Sequence, residues 1–267
     1  MDLSLVGKRA LVCGASRGIG RACAEELAGL GASVTAAARD EGVLQEVVCG
    51  MKVPGTGGGG AGGHEVFACD FSDPVALEAA MVARFGAKPA FDIFVNNTGG
   101  PPGGRAIDAT GEHYAAAFRM HVVAGQTVAR LVVPHMLERG WGRIVNIIST
   151  SVKAPIPGLG VSNTIRAAVA NWAKTLAGEL GSDGITVNNV LPGYTETERL
   201  ANLMGTRAKA GGKTEGEIAA EWKATIPAGR FGRPEEIAAV VAFLCSPAAG
   251  YVNGVNVPVD GGRTPGL

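Results

Sequence analysis

Short apolar runs alternate with helical patterns along the whole chain, which has 267 residues. The first apolar run, residues 10–13, is followed by Ile19, Cys23, Leu27 and Leu30, which recur at helical spacing. Similar patterns predict strands at residues 33–38, 65–69, 93–96, 142–148, 186–191 and 255–259, and helices at 41–48, 74–85, 110–139, 161–180 and 234–244. Strands that alternate with helices build a parallel sheet covered on both faces. We therefore predict one doubly wound α/β domain over residues 1–267, with a mostly parallel sheet of seven strands.

Two segments interrupt this alternation. Residues 50–63 hold a run of glycines without the Gly-Lys-Ser/Thr signature of a P-loop, so we expect a flexible surface insertion. Residues 194–230 are polar and glycine-rich, with partial helical character, and they follow the sixth strand. Because ligands of such sheets bind beyond the carboxyl ends of the strands, we expect a substrate lid here. The alternative is a disordered surface loop.

Composition excludes several classes of function. Lys plus Arg and Asp plus Glu both number 24, so no basic surplus favours a nucleic acid or an anionic membrane. The apolar runs are too short to span a bilayer, and the N-terminus resembles no signal peptide. Four scattered histidines predict no metal site. The five cysteines lack paired spacing, which favours buried apolar residues in a reducing compartment, the cytoplasm, over disulfides.

The turn after the first strand carries three spaced glycines, Gly14, Gly18 and Gly20. Gly14 permits a tight turn, while the other two permit close approach of the backbone to a phosphate and of the helix to the strand. The N-terminus of the following helix then faces the pyrophosphate of a dinucleotide. A tight turn without a ligand is the alternative, but three spaced glycines exceed what a turn needs.

The spacing Gly-x-x-x-Gly-x-Gly resembles that of the short-chain dehydrogenase/reductase family, except that Cys13 stands where that family usually has Thr. Asn96-Asn97-Thr98-Gly99 likewise resembles the family's Asn-Asn-Ala-Gly turn. The resemblance covers essentially the whole chain and implies a Rossmann-type fold that binds a nicotinamide cofactor. It implies that the cofactor is contacted by Gly14, Ser16, Arg17, Gly18, Ile19, Gly20, Arg39, Asp70, Asn97, Gly99, Arg166, Pro192, Gly193 and Thr195.

Arg39 follows the second strand, where the 2′ position of the adenosine ribose is read. An Arg there favours the 2′-phosphate of NADP, and Arg17 adds a second cation. We therefore predict NADP(H). In the alternative, both arginines are solvated and Asp40 binds the ribose. The resemblance places Asp70 against the adenine. The alternative is that Asp70 caps the next helix, although Ser72 or Asp73 is better placed as that cap.

The catalytic positions depart from the family pattern. The family uses Ser-x12-Tyr-x3-Lys, and alignment through the helix at 161–180 places Ser149 on its serine, Ser162 on its tyrosine and Arg166 on its lysine. A serine hydroxyl is a far weaker acid than a phenol, and arginine cannot shuttle a proton as lysine does. Arg166 can still hold ribose hydroxyls and supply positive charge near a developing alkoxide. Ser162 and Arg166 are therefore catalytic residues or only cofactor contacts.

Two other residues are candidate proton donors. Tyr194 follows Pro192-Gly193, which places it near the nicotinamide, and its alternative role is a wall of the substrate pocket. His121 aligns with the family's active-site Asn and would titrate near neutral pH, its alternative being a hydrogen bond to the backbone.

The leading functional hypothesis is an NADP(H)-dependent oxidoreductase that acts on a carbonyl/alcohol pair. Within the family the chain is most similar to 3-oxoacyl-acyl-carrier-protein reductases, which implies a small-molecule carbonyl substrate and a homodimer or homotetramer. The alternative is an NADP(H)-binding sensor or scaffold with little or no turnover, which the replaced tyrosine and lysine favour.

Overall fold

Seven parallel strands form one sheet at the centre of the protein. A computed structural model describes residues 1–51 and 63–266, so most of the predicted insertion at 50–63 lies outside the described residues. The strands are β1 (Arg9–Cys13), β2 (Ser33–Ala38), β3 (Glu65–Ala68), β4 (Ile93–Asn96), β5 (Gly142–Ile147), β6 (Ile185–Pro192) and β7 (Asn256–Val259). Their order is β3-β2-β1-β4-β5-β6-β7, and every pairing is parallel. The predicted Rossmann-type fold is confirmed. The order reverses between β1 and β4, which makes the crevice between them the expected ligand site.

Helices cover both faces of this sheet. They are α1 (Gly18–Gly29), α2 (Glu41–Gly50), α3 (Pro74–Phe85), α4 (Gly111–Phe118), α5 (Ala124–Arg139), α6 (Gly160–Leu180), α7 (Glu198–Gly211), α8 (Glu215–Ala224) and α9 (Pro234–Cys245). Helices α1, α2 and α9 pack into the core on one face, and α3, α5 and α6 pack into the core on the other. None of the helices within the described ranges is both long and apolar enough to cross a bilayer.

The prediction of a single long α-helix at 110–139 is wrong in one respect. Between α4 and α5 the chain widens into a π-helical segment, Arg119–Val123. The extra residue in this turn shifts the register between α4 and α5, and His121 within it is buried. Short π-helical segments of this kind occur frequently at functional sites.

The segment at 194–230, for which a lid is predicted and to which the word lid refers below, contains two ordered helices, α7 and α8. Thr197 and Thr214 cap them by accepting hydrogen bonds from backbone N–H groups of the first turns. Leu200, Ile226 and Phe231 form a small apolar core beneath these helices. These residues therefore form an ordered segment, and the alternative of a disordered surface loop is wrong.

A row of asparagines crosses four neighbouring strands. The Nδ2 atom of Asn96 donates to Oδ1 of Asn146 at 2.9 Å, and Asn146 donates to Asn189 at 3.0 Å. Asn189 in turn donates to Asn256 at 2.8 Å. The four residues share one register position in β4, β5, β6 and β7. Asn96, Asn146 and Asn189 are buried, and they carry little desolvation cost because each amide is hydrogen-bonded to its neighbour.

Candidate active site

The glycine turn between β1 and α1 packs against the end of β4. Asn97 donates through Nδ2 to the carbonyl oxygen of Cys13 at 3.2 Å. Gly14 and Gly18 have φ values of +63° and +54°, which favour glycine. A Cβ added to Gly20 would collide with the carbonyl oxygen of Gly14 and lie 2.7 Å from Nδ2 of Asn97. The turn therefore requires glycine for two separate reasons, backbone conformation and close packing.

The residue before α1 provides no side-chain cap for the N–H groups of its first turn. The helix begins at Gly18 with Arg17 in extended conformation before it, and Ser16 and Ile19 are half-buried beside the turn. Backbone N–H groups at a helix N-terminus bind anions because the first four have no partner within the helix. The exposed Arg17 side chain forms an ion pair with Glu198 of α7. The turn thus offers both N–H donors and a guanidinium.

Arg39 and Asp70 lie next to each other at the carboxyl ends of β2 and β3. The two strand ends are joined by the hydrogen bond from Cys69 N to the carbonyl of Ala38, at 2.9 Å. Asp70 accepts from the backbone of Ser72, which is the main cause that lowers its pKa; Arg39 adds a smaller effect.

The structure assigns capping to other carboxylates. Asp73 caps α3 by accepting from Val75 and Ala76, so the alternative in which Asp70 caps that helix is wrong. Asp40 caps α2 by accepting from Val43 at 3.1 Å. Arg39, by contrast, is exposed at the strand end.

Ser149 and Arg166 both lie at the carboxyl end of β5. Arg166 is buried in α6 and donates through Nη1 to the carbonyl oxygen of Ile147 at 2.9 Å. The Ser149 hydroxyl accepts from Ser151 N at 3.1 Å, which leaves its proton available to an external acceptor. Ser162 is also buried and lies one turn before Arg166, so both lie on the same side of α6. Burial is the main cause that lowers the pKa of Arg166, to about 10, so it stays charged at neutral pH.

His121 is a buried neutral group beneath this edge of the sheet. Its Nδ1 lies 2.6 Å from Oγ1 of Thr98, and its Nε2 has no hydrogen-bond partner among the described residues. Burial, helped by the positive charges of Arg166 and Arg199, lowers the pKa of His121 to about 2. The expectation that His121 titrates near neutral pH is therefore wrong, because burial and the two nearby guanidinium groups oppose the protonated form. A hydrogen bond with the backbone of Gly99 acts in the opposite direction and raises the pKa, in line with the predicted alternative of a hydrogen bond to the backbone.

Tyr194 is part of the packing beneath the lid. Its ring stacks on Trp222 of α8 with centroids 4.6 Å apart, and the guanidinium of Arg263 covers it at 4.4 Å. Arg263 also donates to the tyrosine hydroxyl at 3.4 Å. Tyr194 thus lies in a packed wall, and its hydroxyl accepts from Arg263 and keeps its own proton.

The end of β6 leads directly into the lid. Gly193 packs closely on Asp260, where a Cβ would lie 2.6 Å from that side chain. Thr195 is buried, and its hydroxyl donates to the carbonyl of Gly193 at 3.2 Å. Three residues of the predicted cofactor set therefore have structural contacts here. Pro192 and Gly193 form the start of the loop after β6, and the Thr195 hydroxyl is bonded to the backbone of that loop.

Sequence reasoning missed Thr197 and Arg199 in the lid. The methyl group of Thr197 lies against the glycine turn, because it is 3.2 Å from the position that a Cβ on Gly18 would occupy. Arg199 donates to the carbonyl of Pro101 at 2.6 Å, just after Gly99-Gly100. Their position four and six residues after Gly193 was the one available signal. A cavity of about 420 Å³ separates the lid from α1 and is lined by Gly18, Arg21, Ala22, Glu25, Glu196, Thr197, Glu198, Pro234 and Glu235.

Comparison with known proteins identifies the family. A family model described as enoyl-(acyl carrier protein) reductase matches residues 14–264. The chain belongs to the short-chain dehydrogenase/reductase family. It is 34% identical over 262 residues to a 3-oxoacyl-acyl-carrier-protein reductase of Vibrio cholerae, covering 97% of this chain and 98% of that protein. It is also 34% identical over 265 residues to gluconate 5-dehydrogenase of Gluconobacter oxydans, covering 99% and 97% of the two chains.

The short-chain dehydrogenase/reductase fold of this chain also matches solved structures along its full length. L-sorbose reductase from Gluconobacter frateurii, solved in complex with NADPH and L-sorbose, superposes with a TM-score of 0.86. The two share 31% sequence identity, and the match covers 100% of both chains. Because its relatives are reductases and dehydrogenases, the protein is an oxidoreductase of this family.

Proposed function

We propose that this protein is an NADP(H)-dependent oxidoreductase that interconverts a carbonyl group and an alcohol. The observation that carries the proposal is the glycine turn at the point where the strand order reverses. There Gly14, Gly20 and Asn97 leave no room for a side chain, while the N-terminus of α1 remains open. Such a cradle fits the pyrophosphate of a dinucleotide.

The choice of NADP(H) over NAD(H) is supported by the cations around the turn. Arg39 is exposed at the end of β2, and Arg17 is exposed within the turn itself. A guanidinium forms two parallel hydrogen bonds with a phosphate. One carboxylate oxygen of Asp40 is already used to cap α2, which disfavours Asp40 as the ribose ligand. L-sorbose reductase was solved with NADPH, which agrees with this choice.

The reaction that we propose uses Ser149 and Arg166. The nicotinamide cofactor supplies the hydride when bound. The Ser149 hydroxyl accepts from Ser151 and therefore donates a hydrogen bond to the substrate oxygen, and the alkoxide left by hydride transfer takes its proton from solvent water. The buried charge of Arg166 stabilises negative charge that develops on that oxygen. The active site is thus atypical, because neither Ser162 nor Arg166 supplies an acidic proton as the family's tyrosine does.

A second candidate function is an NADP(H)-binding sensor or scaffold with little or no turnover. The replacement of the usual tyrosine by Ser162, together with the neutral, buried state of His121, favours it. The glycine turn supports both candidates equally.

Binding and turnover separate the two candidates. We would titrate the purified protein with NADPH and NADH by calorimetry and then add a panel of ketones. Tight NADPH binding with oxidation in the presence of any ketone supports the enzyme. Tight binding without turnover on any ketone favours the sensor or scaffold, and absence of binding overturns both.

A variant pair tests which residue selects the cofactor. Arg39→Gln should weaken NADPH binding by about 10-fold or more, because it removes a charged hydrogen bond to the 2′-phosphate. The same change at Arg130, an exposed arginine of α5, serves as the matched control and should leave binding unchanged. Equal effects of the two variants would argue against Arg39.

We also propose a homo-oligomer in a reducing compartment such as the cytoplasm. Phe118, Val123 and Leu137 expose apolar side chains along α4, the π-helical segment and α5. All five cysteines are free thiols, and three are buried. Light scattering of the purified protein tests the oligomer, which a monomeric mass would exclude.

A further inference from the structure

Arg166 is a buried cation that lacks a counterion. Its guanidinium is bonded to the Ile147 carbonyl, and among the described residues no carboxylate lies within 4.0 Å of it. His121 nearby is neutral. Buried charges in proteins are normally paired, because an unpaired one loses its hydration without compensation. The site is therefore complementary to an anion.

A second arginine reaches the same place from the lid. The guanidinium groups of Arg199 and Arg166 both lie against Gly100. The position that a Cβ on Gly100 would occupy is 3.3 Å from Nη2 of Arg199 and 3.6 Å from Nη2 of Arg166. Arg199 also has no carboxylate partner within the parts of the chain that the structure describes, and its hydrogen bond goes to the Pro101 carbonyl. Like charges repel, so an anion placed between the two guanidinium groups relieves the repulsion. Arg199 is exposed and Arg166 is buried, so a ligand from solvent reaches the pair from the side of Arg199.

The location of the pair determines which molecule brings the anion. The cations suited to cofactor phosphates, Arg17 and Arg39, lie at the ends of β1 and β2. Arg166 lies at the end of β5, beside Ser149, where the substrate oxygen is expected. We infer that Arg166 and Arg199 together bind a carboxylate of the substrate, so that the protein acts on an oxo acid and the corresponding hydroxy acid.

This inference rests on the proposed function and states its substrate class. A guanidinium pairs with a carboxylate through parallel N–H donors, and Nη2 of both arginines faces Gly100. The Nη1 atom of Arg166 is held by Ile147, which fixes the orientation of the guanidinium. Because Arg199 belongs to α7, a carboxylate bound by both arginines also ties the lid to the sheet.

The experiment compares oxo acids with their neutral methyl esters. The protein, with and without NADP⁺, is titrated calorimetrically with 2-oxopropanoate, 3-oxobutanoate, 4-oxopentanoate and the three methyl esters. We expect at least one acid to bind ten times more tightly than its ester. Arg199→Gln should weaken binding of that acid about 10-fold while leaving the ester and NADPH unchanged. Arg207→Gln, at an exposed arginine of the same helix, is the matched control and should bind like the wild type.

Three outcomes would overturn the inference. The first is that no acid binds more tightly than its ester. The second is that Arg199→Gln and Arg207→Gln have equal effects. The third is that Arg199→Gln weakens NADPH rather than the acid, which would assign the pair to a cofactor phosphate. Failure of the proposed function gives a different result. If the protein binds no nucleotide, the proposed function fails, but the protein without nucleotide can still bind an oxo acid more tightly than its ester.

Discussion

Arg17 in the glycine turn and Glu198 at the start of α7 form an ion pair across 181 positions of sequence. Both side chains are more than half exposed, with 67% and 58% of their surfaces accessible. An exposed pair of this kind contributes little to stability, about 0–1 kcal/mol. The ion pair matters instead for ligand binding. The proposed function assigns the Arg17 guanidinium to a cofactor phosphate, and Glu198 competes with that phosphate for it.

Glu198→Gln should therefore tighten NADPH binding. Removal of the carboxylate frees Arg17, and the expected gain is up to about fivefold, the equivalent of about 1 kcal/mol. Glu235→Gln is the control, since it removes the same charge from the same cavity without a contact to Arg17. Fluorescence titration with NADPH measures both. If the two variants tighten binding equally, the ion pair does not compete with the cofactor.

The requirement for glycine at position 20 leads to a second prediction. Gly20→Ala should destabilise the protein by about 3 kcal/mol and abolish nucleotide binding, because the new methyl group displaces Gly14 and Asn97. Gly29→Ala, at the other end of α1, meets no atom within 4 Å and should be neutral or stabilising by up to about 1 kcal/mol. Urea unfolding of the two variants checks this, and equal stabilities would contradict the packing of the turn.

Much of the fold was predictable from sequence because each strand is a short apolar run between helical patterns. The strand ends predicted from those runs fall within one residue of the observed ends. The π-helical segment was not predictable, since five residues cannot distinguish its period from that of an α-helix. The asparagine row was also missed. Asn146 and Asn189 are polar residues within buried strands, and only the register between strands shows that they pair.

The candidate site was predictable where one local motif builds it, as in the glycine turn. It was not predictable where distant segments meet. Arg199 and Pro101 are 98 positions apart, and nothing in the local pattern of either segment indicates the other. Tyr194 shows the same limit, because its partners Trp222 and Arg263 come from the lid and from the C-terminal segment.

The buried His121 predicts a specific dependence of stability on pH. Its pKa is about 2 in the folded protein against an ordinary 6.5, so the unfolded state binds the proton more readily. The stability that depends on neutral His121 is complete above about pH 6.5 and is lost progressively as pH falls toward 2. Below pH 6 this one group should contribute a slope of up to about 1.4 kcal/mol per pH unit.

A substitution at His121 isolates this contribution from that of the carboxylates. His121→Asn should flatten the dependence of unfolding free energy on pH between 6.5 and 4.5, measured by urea titration at several pH values. Thr98→Ser retains the hydroxyl partner of His121 and should keep the wild-type slope. An unchanged slope in His121→Asn would mean that the histidine becomes protonated in the folded state.

Two substitutions of Tyr194 distinguish a structural role of this residue from a role in acid catalysis. Tyr194→Phe should change kcat by less than about twofold, because the ring stack with Trp222 is kept and the proposed reaction uses Ser149 as the donor to the substrate oxygen. Tyr194→Ala should cost about 2 kcal/mol of stability through loss of the stack. A fall in kcat of about 100-fold in the Phe variant would instead identify Tyr194 as the proton donor.

The alignment of Ser162 and Arg166 with the family's tyrosine and lysine leads to the last prediction. Ser162→Tyr combined with Arg166→Lys should raise carbonyl reductase activity by about 10-fold or more, since a phenol with a reference pKa of about 10 is a far better acid than serine. Ser162 is buried, so the larger ring should cost about 1–3 kcal/mol. Ser162→Phe with Arg166→Lys has the same bulk without the phenol hydroxyl and should show no gain. If the tyrosine variant folds, binds NADPH and still shows no gain over the phenylalanine variant, position 162 does not face the reacting oxygen.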